Sequence, residues 1–207
     1  MTSFNCVNTV HSALLFAATS DKKLHILDAE TGGLARSIDI LTAARPDSTV
    51  YSHDRGIHCI ALPSPSLHAS VTTDHFNFFA TAAIDNSVLL WDLRQACPTH
   101  RFTGHVNRKD SCGVSISPCL KFIGVGSEDR SAYILDLRYM GGGSGGGGGG
   151  DASGGDRMLP LAKLTGHGDV VADVCFHPVF PQLATGSHDG RIRFFKDPSA
   201  ANNANFC

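Results

Sequence analysis

Four short stretches of this chain are built almost entirely of apolar and small residues: Leu14 to Ala18, Phe78 to Ala83, Phe122 to Gly126 and Leu183 to Gly186. Runs of this length fit strands buried on both faces better than helices, which need longer periodic segments. Each run leads into a small residue, a variable residue, an Asp and a second strand-like segment. The four copies read FAATSDKKLHILD, ATAAIDNSVLLWD, GVGSEDRSAYILD and ATGSHDGRIRFFK. The pattern predicts four hairpins with Asp21, Asp85, Asp129 and Asp189 in their turns. The Asp-Lys, Asp-Asn, Asp-Arg and Asp-Gly pairs at these points suit tight turns that place a residue at φ > 0.

The register around the anchors is fixed. Six residues after each Asp stands a large apolar residue, Leu27, Trp91, Leu135 or Phe195. Two residues before it stands Thr19, Ala83, Ser127 or Ser187. The interval from Asp85 to Asp129 matches a repeat of ~40–45 residues. The two other intervals are longer, and insertions account for the excess. Thr42 to Ser52 and Pro63 to Asp74 are polar or Pro-containing, and Gly141 to Gly155 is almost pure glycine and serine. That last segment reads as a flexible, disordered linker. Its accidental Gly-x-Gly-x-x-Gly matches carry no phosphate chemistry, because no strand-to-helix transition follows them.

Upstream marks complete the unit. Gly104-His105 and Gly166-His167 precede the third and fourth hairpins, Ser52-His53 stands at the matching place before the second, and Trp91-Asp92 ends a strand. On these residues the chain resembles the WD-repeat family over its whole length outside the glycine insert. The resemblance implies an all-β fold of WD-type β-propeller blades, about four, the last incomplete, forming an arc of a larger propeller. The units fall at residues 1–41, 52–104, 105–165 with the insert at 141–157, and 166–198, with 199–207 as a polar tail. A second copy of the chain, or blades on the N-terminal side, would have to close the ring.

The resemblance also implies a hydrogen-bond network in each blade, joining the His of Gly-His to the turn Asp, a Ser or Thr, and Trp. In this sequence the candidates are Thr19 and Asp21 in the first blade, and His53, Asp85 and Trp91 in the second. The third offers His105, Ser127 and Asp129, and the fourth His167, Ser187 and Asp189. Ala83 lacks a hydroxyl, and Leu135 and Phe195 cannot donate a hydrogen bond, so every blade is expected to fall short of the full network. A Ser, a His and an Asp in one unit also suggest a hydrolase triad. That reading fails, because the set recurs with the repeat and lacks a Gly-x-Ser-x-Gly nucleophile turn. No catalytic residue and no cofactor are expected.

Composition sets further limits. The 207 residues are 42% hydrophobic and 17% charged, with a formal net charge of −2. No basic stripe is present of the kind that releases counterions from phosphate backbones, so nucleic acid is not an expected partner. The cysteines, Cys6, Cys59, Cys97, Cys112, Cys119, Cys175 and Cys207, show no two-residue pair spacing, and no metal site is expected. Cys59 and Cys175 lie in apolar runs and read as buried thiols of a reducing compartment. No apolar run approaches the ~20 residues of a membrane helix. Ala13 to Ala18 lacks the preceding Lys or Arg of a signal peptide. A cytoplasmic or nuclear setting follows, without membrane contact.

The function class is therefore protein or peptide binding. Loops flanking the innermost strands carry Arg45, Tyr51, Arg55, Arg108, Lys109 and Asp169 as candidate partner contacts. Two Asp-x-Arg boxes, Asp92-Leu93-Arg94 and Asp136-Leu137-Arg138, resemble those of propellers that dock on the adaptor of a cullin-RING ubiquitin ligase. In that alternative Arg94 and Arg138 would fork onto partner carboxylates; otherwise each Arg pairs locally. His58, His68, His75, His100, His177 and His188 read as surface or turn residues.

Overall fold

The structure, a computed structural model, describes residues 3–9, 12–19, 22–39, 53–63, 77–95, 98–137, 157–158 and 160–196. Asp21, Arg45, Tyr51, Arg138 and the glycine run 141–155 lie outside these residues. Every element described is a strand. The first sheet is β1 (Ser3–Thr9), β2 (Ser12–Ala18), β3 (Lys23–Asp28) and β4 (Leu34–Asp39), antiparallel in chain order. The second is β5 (Ile57–Ala61), β6 (Phe78–Ala83), β7 (Ser87–Asp92) and β8 (Pro98–Phe102). The third takes β9 (Val114–Ile116), β10 (Phe122–Gly126), β11 (Ala132–Asp136) and, across the glycine insert, β13 (Ala162–Leu164). The fourth holds β14 (Val171–Phe176), β15 (Gln182–Ser187) and β16 (Ile192–Lys196), three strands among the described residues.

The sheets stack face to face as blades, and the core lies between them. Alternation along each strand sends successive side chains to opposite neighbours. On β6 and β7, Phe79, Leu89 and Trp91 pack toward blade 1 against Phe16, Leu24 and Ile26, and Ile57 of β5 joins the same cluster. Ala80, Ala82, Val88 and Leu90 pack toward blade 3 with Val114, Ile123, Val125 and Leu135. The two middle strands of blade 2, β6 and β7, are therefore buried at nearly every position because both faces are covered. A smaller cluster of Ala132, Val171, Val174 and Leu183 joins blades 3 and 4. Phe79 stacks on Trp91 with ring centroids 5.9 Å apart and planes 6° apart.

The turns carry the conformation that the Asp dipeptides predict. Lys22, Asn86, Arg130 and Gly190, each directly after its anchor Asp, have φ of 62°, 59°, 66° and 74°. Asn and Gly tolerate this region readily, whereas Lys and Arg pay a steric cost for it.

Two features depart from the sequence reading. Arg157 was assigned to the insert, but Arg157–Met158 forms a two-residue strand, β12, parallel to β8 on the outer edge of blade 2. Cys175 is exposed, not buried. It lies on the face of β14 opposite Val174, which packs toward blade 3. An apolar run marks burial on both faces only where a blade stands on each side. Cys59 is half-buried, with Sγ 3.9 Å from Val114 O, and burial pushes its thiol pKa up.

Candidate functional site

The turn between the second and third strands and the loop before the innermost strand lie at the same end of every blade. In blade 2 this brings His53, before β5, against Asp85 in the β6–β7 turn. His53 Nδ1 is 2.9 Å from Asp85 Oδ2, and His53 Nε2 is 2.8 Å from Thr81 Oγ1. Trp91 Nε1–H donates to the same Thr81 Oγ1 at 2.8 Å. Because Trp Nε1 can only donate, the Thr81 hydroxyl proton is free to go to His53 Nε2, and the Nδ1 proton then faces Asp85. His53, Thr81 and Trp91 are fully buried.

Asp85 also accepts from Ser87 Oγ at 2.6 Å, Ser87 N at 3.0 Å and Asp54 N at 3.0 Å. Burial would raise its pKa, but His53, Ser87 and the Asp54 amide together hold it down at about 2. The network of blade 2 is thus fully formed, contrary to the expectation from Ala83. The hydroxyl sits four residues before the Asp, not two. On the β6–β7 hairpin Thr81 opposes Leu89. This makes Thr81 the diagonal neighbour of Trp91 on one face of the sheet, within reach of its indole.

Blade 4 repeats the plan with Thr185 in the same place. His167 Nε2 is 2.7 Å from Thr185 Oγ1, and Nδ1 is 3.4 Å from Asp189 Oδ2. Ser187, the residue singled out from sequence, donates instead to Asp169 O at 3.0 Å. Asp189 accepts from Gly168 N at 2.8 Å, which, offset in part by desolvation, lowers its pKa to about 2 with help from Arg191 N and His167. The Gly of Gly-His has a geometric reason. Gly104 and Gly166 have φ of 116° and 132°, a region that residues with a Cβ rarely enter.

Blade 3 departs from the plan. The position four before Asp129 is Val125, so His105 has no hydroxyl to meet, and its buried Nε2 has no hydrogen-bond partner among the described residues. Burial lowers the His105 pKa to about 4, against the pull of Asp85 and Asp129. Asp129 turns outward, to Tyr133 Oη at 2.5 Å and Lys163 Nζ at 2.7 Å. Ser127 Oγ bonds the backbone of Val106. In blade 1, Thr19 Oγ1 donates to Lys23 O at 3.0 Å.

His58 is half-buried on β5, with Nε2 2.9 Å from Cys112 O, which corrects its reading as a surface residue. The closed packing of blades 2 and 3 covers it. Thr81 and Thr185 are the network members that sequence reasoning missed. Their signal was a hydroxyl at the same offset in two copies.

Of the partner-contact candidates, Arg55, Arg108, Lys109 and Asp169 are exposed at this same end. The backbone at or next to each is clamped, at Asp54, Arg108, Lys109 and Asp169. Glu128 Oε1 accepts from the amides of Arg108, Lys109 and Asp110 at 2.5, 2.6 and 3.0 Å. Asn86 and Asn107 bond each other through backbone and side chain. Arg94 lies at the opposite end of its blade. Its Nη2 is 2.8 Å and its Nε 3.0 Å from the Asp92 carboxylate, although its side chain is 56% exposed. The guanidinium is thus already engaged with its own box. Among the described residues no cluster of three His, Cys, Asp or Glu could hold a metal ion, and no helix is long and apolar enough to cross a membrane.

Residues 158–196 match the sequence model of the WD domain, G-beta repeat. Protein SOF1 of Saccharomyces cerevisiae is 28% identical over 132 residues, 61% of this chain and 23% of that protein. The WD repeat-containing protein 26 homolog of Drosophila melanogaster is 33% identical over 113 residues, 51% of this chain and 14% of that protein. Among solved structures, the RRP9 WD40 repeats superpose with a TM-score of 0.63 at 16% identity, over 95% of this chain and 52% of that one. This chain therefore spans less than a quarter of the curated relatives and about half of the solved propeller.

Proposed function

Because this chain is built of WD-repeat propeller blades, we propose that it is a non-catalytic scaffold that presents the loops before its innermost strands to partner proteins or peptides. The observation that carries this reading is the clamping of those loops by turn carboxylates. Asp85 holds the Asp54 amide, Glu128 holds three successive amides and Asp189 holds Gly168. A loop whose backbone is already fixed loses little conformational freedom on binding. Exposed Arg55, Arg108, Lys109 and Asp169 are therefore displayed on a rigid frame.

In blades 2 and 4 the His and Asp residues that suggest hydrolysis are spent on each other and on buried hydroxyls, and in blade 3 Asp129 turns to Tyr133 and Lys163. The engagement of Arg94 with Asp92 favours a local structural role for that box over adaptor docking. Replacing Arg55, Arg108, Lys109 and Asp169 together by Ala is expected to leave the melting temperature nearly unchanged. The same variant should strip cross-linked partners from the purified chain. Full partner recovery by this variant would mean that the loops are not the docking surface.

The segments WDLR (91–94), CGVSISPC (112–119), GSEDRSAYI (126–134) and PQLATGSHDG (181–190) liken the chain to the C-terminal part of WD repeat-containing protein twenty-seven. We infer that kinship, with a propeller scaffold as its functional content. An antibody raised against residues 181–190 should then detect a polypeptide well above 21.9 kDa in cell extract; a single band at that mass would count against it.

A further inference from the structure

The loop end of blades 2 and 3 carries charge chemistry that the clamping of the backbone does not use. Both blades have a described blade on each side, since apolar clusters join blades 1 and 2, blades 2 and 3, and blades 3 and 4. Their loops and turns form one hydrogen-bonded chain. The Asp54 amide donates to Asp85 Oδ2 at 3.0 Å. Next to Asp85, Asn86 N–H donates to Asn107 O at 3.1 Å, and Asn107 N–H donates back to Asn86 Oδ1 at 2.8 Å. The amides of Arg108, Lys109 and Asp110 then meet Glu128, close in sequence to Arg130. Arg55, Arg108, Lys109 and Arg130 follow one another along this chain, and each is exposed.

The carboxylates of these segments are mostly committed within the fold. Asp85 holds His53, Ser87 and the Asp54 amide, Glu128 holds three amides, and Asp129 holds Tyr133 and Lys163. The cations are not committed. Arg108 feels the charge of Glu128 without pairing with it. Among the described residues the side chains of Arg55, Arg108, Lys109 and Arg130 form no hydrogen bond or ion pair. Arg130 is also held at φ of 66°, where blades 2 and 4 have Asn86 and Gly190. An Arg carries a steric cost in that region. Lys22 meets the same cost in blade 1, but its Nζ donates to Asp54 O at 3.0 Å. Arg130 has no such bond among the described residues, so its cost is not offset inside the fold.

We propose that Arg55, Arg108, Lys109 and Arg130 receive an acidic, extended segment of a partner protein, laid across the loops of blades 2 and 3. This rests on the reading of the loops as the docking surface and names the class of partner that they take. Carboxylates turned onto amides and cations turned to solvent give a partner positive charge to meet first, and an arginine can grip a carboxylate through two parallel bonds. The cations stand on three separate segments, which suits several spaced carboxylates better than one phosphate. Asp54, Asp110 and Asp169 lie among them and repel a uniformly charged nucleic-acid backbone, whereas the acids of a peptide can be spaced to avoid them.

The test uses the full chain and a fluorescein-labelled peptide that alternates Glu with Ser. Its counterparts are the same peptide with Lys in place of every Glu and a single strand of oligothymidine. Anisotropy should show binding of the acidic peptide, weaker as salt is raised, and none of the basic one. The double variant Arg55→Glu, Arg108→Glu should weaken that binding by about tenfold or more, the scale of one charge-assisted hydrogen bond, with the melting temperature nearly unchanged. Lys121→Glu makes the same kind of charge change before β10, at the opposite end of blade 3, and should bind like wild type. Arg130→Gly should weaken binding without loss of stability, because Gly takes positive φ at no steric cost. Wild-type binding by the double variant, equal binding of the two peptides, or a preference for the oligothymidine would overturn the proposal. The loop variant with four Ala substitutions reads the docking surface by itself. If it loses cross-linked partners while the wild-type chain fails to bind the acidic peptide, the loops remain the docking surface and the acidic assignment falls.

Discussion

Replacing Thr81 by Val is expected to cost roughly 2–4 kcal/mol of unfolding free energy, since two buried groups lose their partner at once. The exchange keeps the shape of the side chain and removes only the hydroxyl. Trp91 Nε1–H and His53 Nε2, each now 2.8 Å from Thr81 Oγ1, are left without a bond in a fully buried site. Neither can turn to water. Urea unfolding of wild type, Thr81→Val and Thr81→Ser gives the comparison, and Ser, which keeps the hydroxyl, should recover most of the loss. Equal stability of the Val and Ser variants would show that the network contributes nothing measurable. Blade 3 offers the reverse exchange. Val125 occupies the place of Thr81 in register with its own turn Asp, and His105 Nε2 is buried with no hydrogen-bond partner among the described residues. Val125→Thr supplies a hydroxyl at that place and should raise stability, or at the least cost far less than Thr81→Val.

The contrast between these blades shows how far the sequence carries. The turn register was legible because the Asp anchors stand at fixed offsets from large apolar residues. All four residues after them adopt positive φ. The blade stacking was legible because strands covered on both faces lose their polar alternation, as β7 does from Ser87 to Asp92. The hydroxyl position was misread. Both offsets, two and four residues before the Asp, lie on one face of the strand, and only the hairpin pairing shows which one meets Trp91. The addition of β12 to blade 2 was not legible at all. A two-residue parallel strand has no periodicity to read, and its place is set by where the chain returns after the insert.

Exposure in blade 4 follows the same logic. Apolar runs identify what wants a neighbouring blade, not whether one is there. Cys175 on β14 and Phe194 on β16 lie in apolar segments like those of blade 2, yet both are exposed. Sequence alone gives the demand for cover, and the sheet order shows which faces another described sheet meets.

Acid should destabilise the chain by roughly 3 kcal/mol through His105 alone, once pH falls from neutral to about 4. Burial lowers the His105 pKa from its ordinary 6.5 to about 4, while His58 pushes in the same direction and Asp85 and Asp129 oppose it. In the unfolded chain the imidazole takes up its proton as pH drops through 6.5. In the folded chain it stays neutral until about 4. The unfolded state therefore binds more protons across that window, and stability must fall as pH falls through it. Below about 4 both states are protonated and this contribution levels off. Asp85, held at about 2, adds a further loss only below its ordinary 3.8, so the two effects separate along the pH axis. Urea unfolding at pH 7, 5.5 and 4.5 should show a slope that His105→Asn reduces by close to one proton. The slope would be unchanged in that variant if His105 were solvated and free to titrate normally in the folded blade.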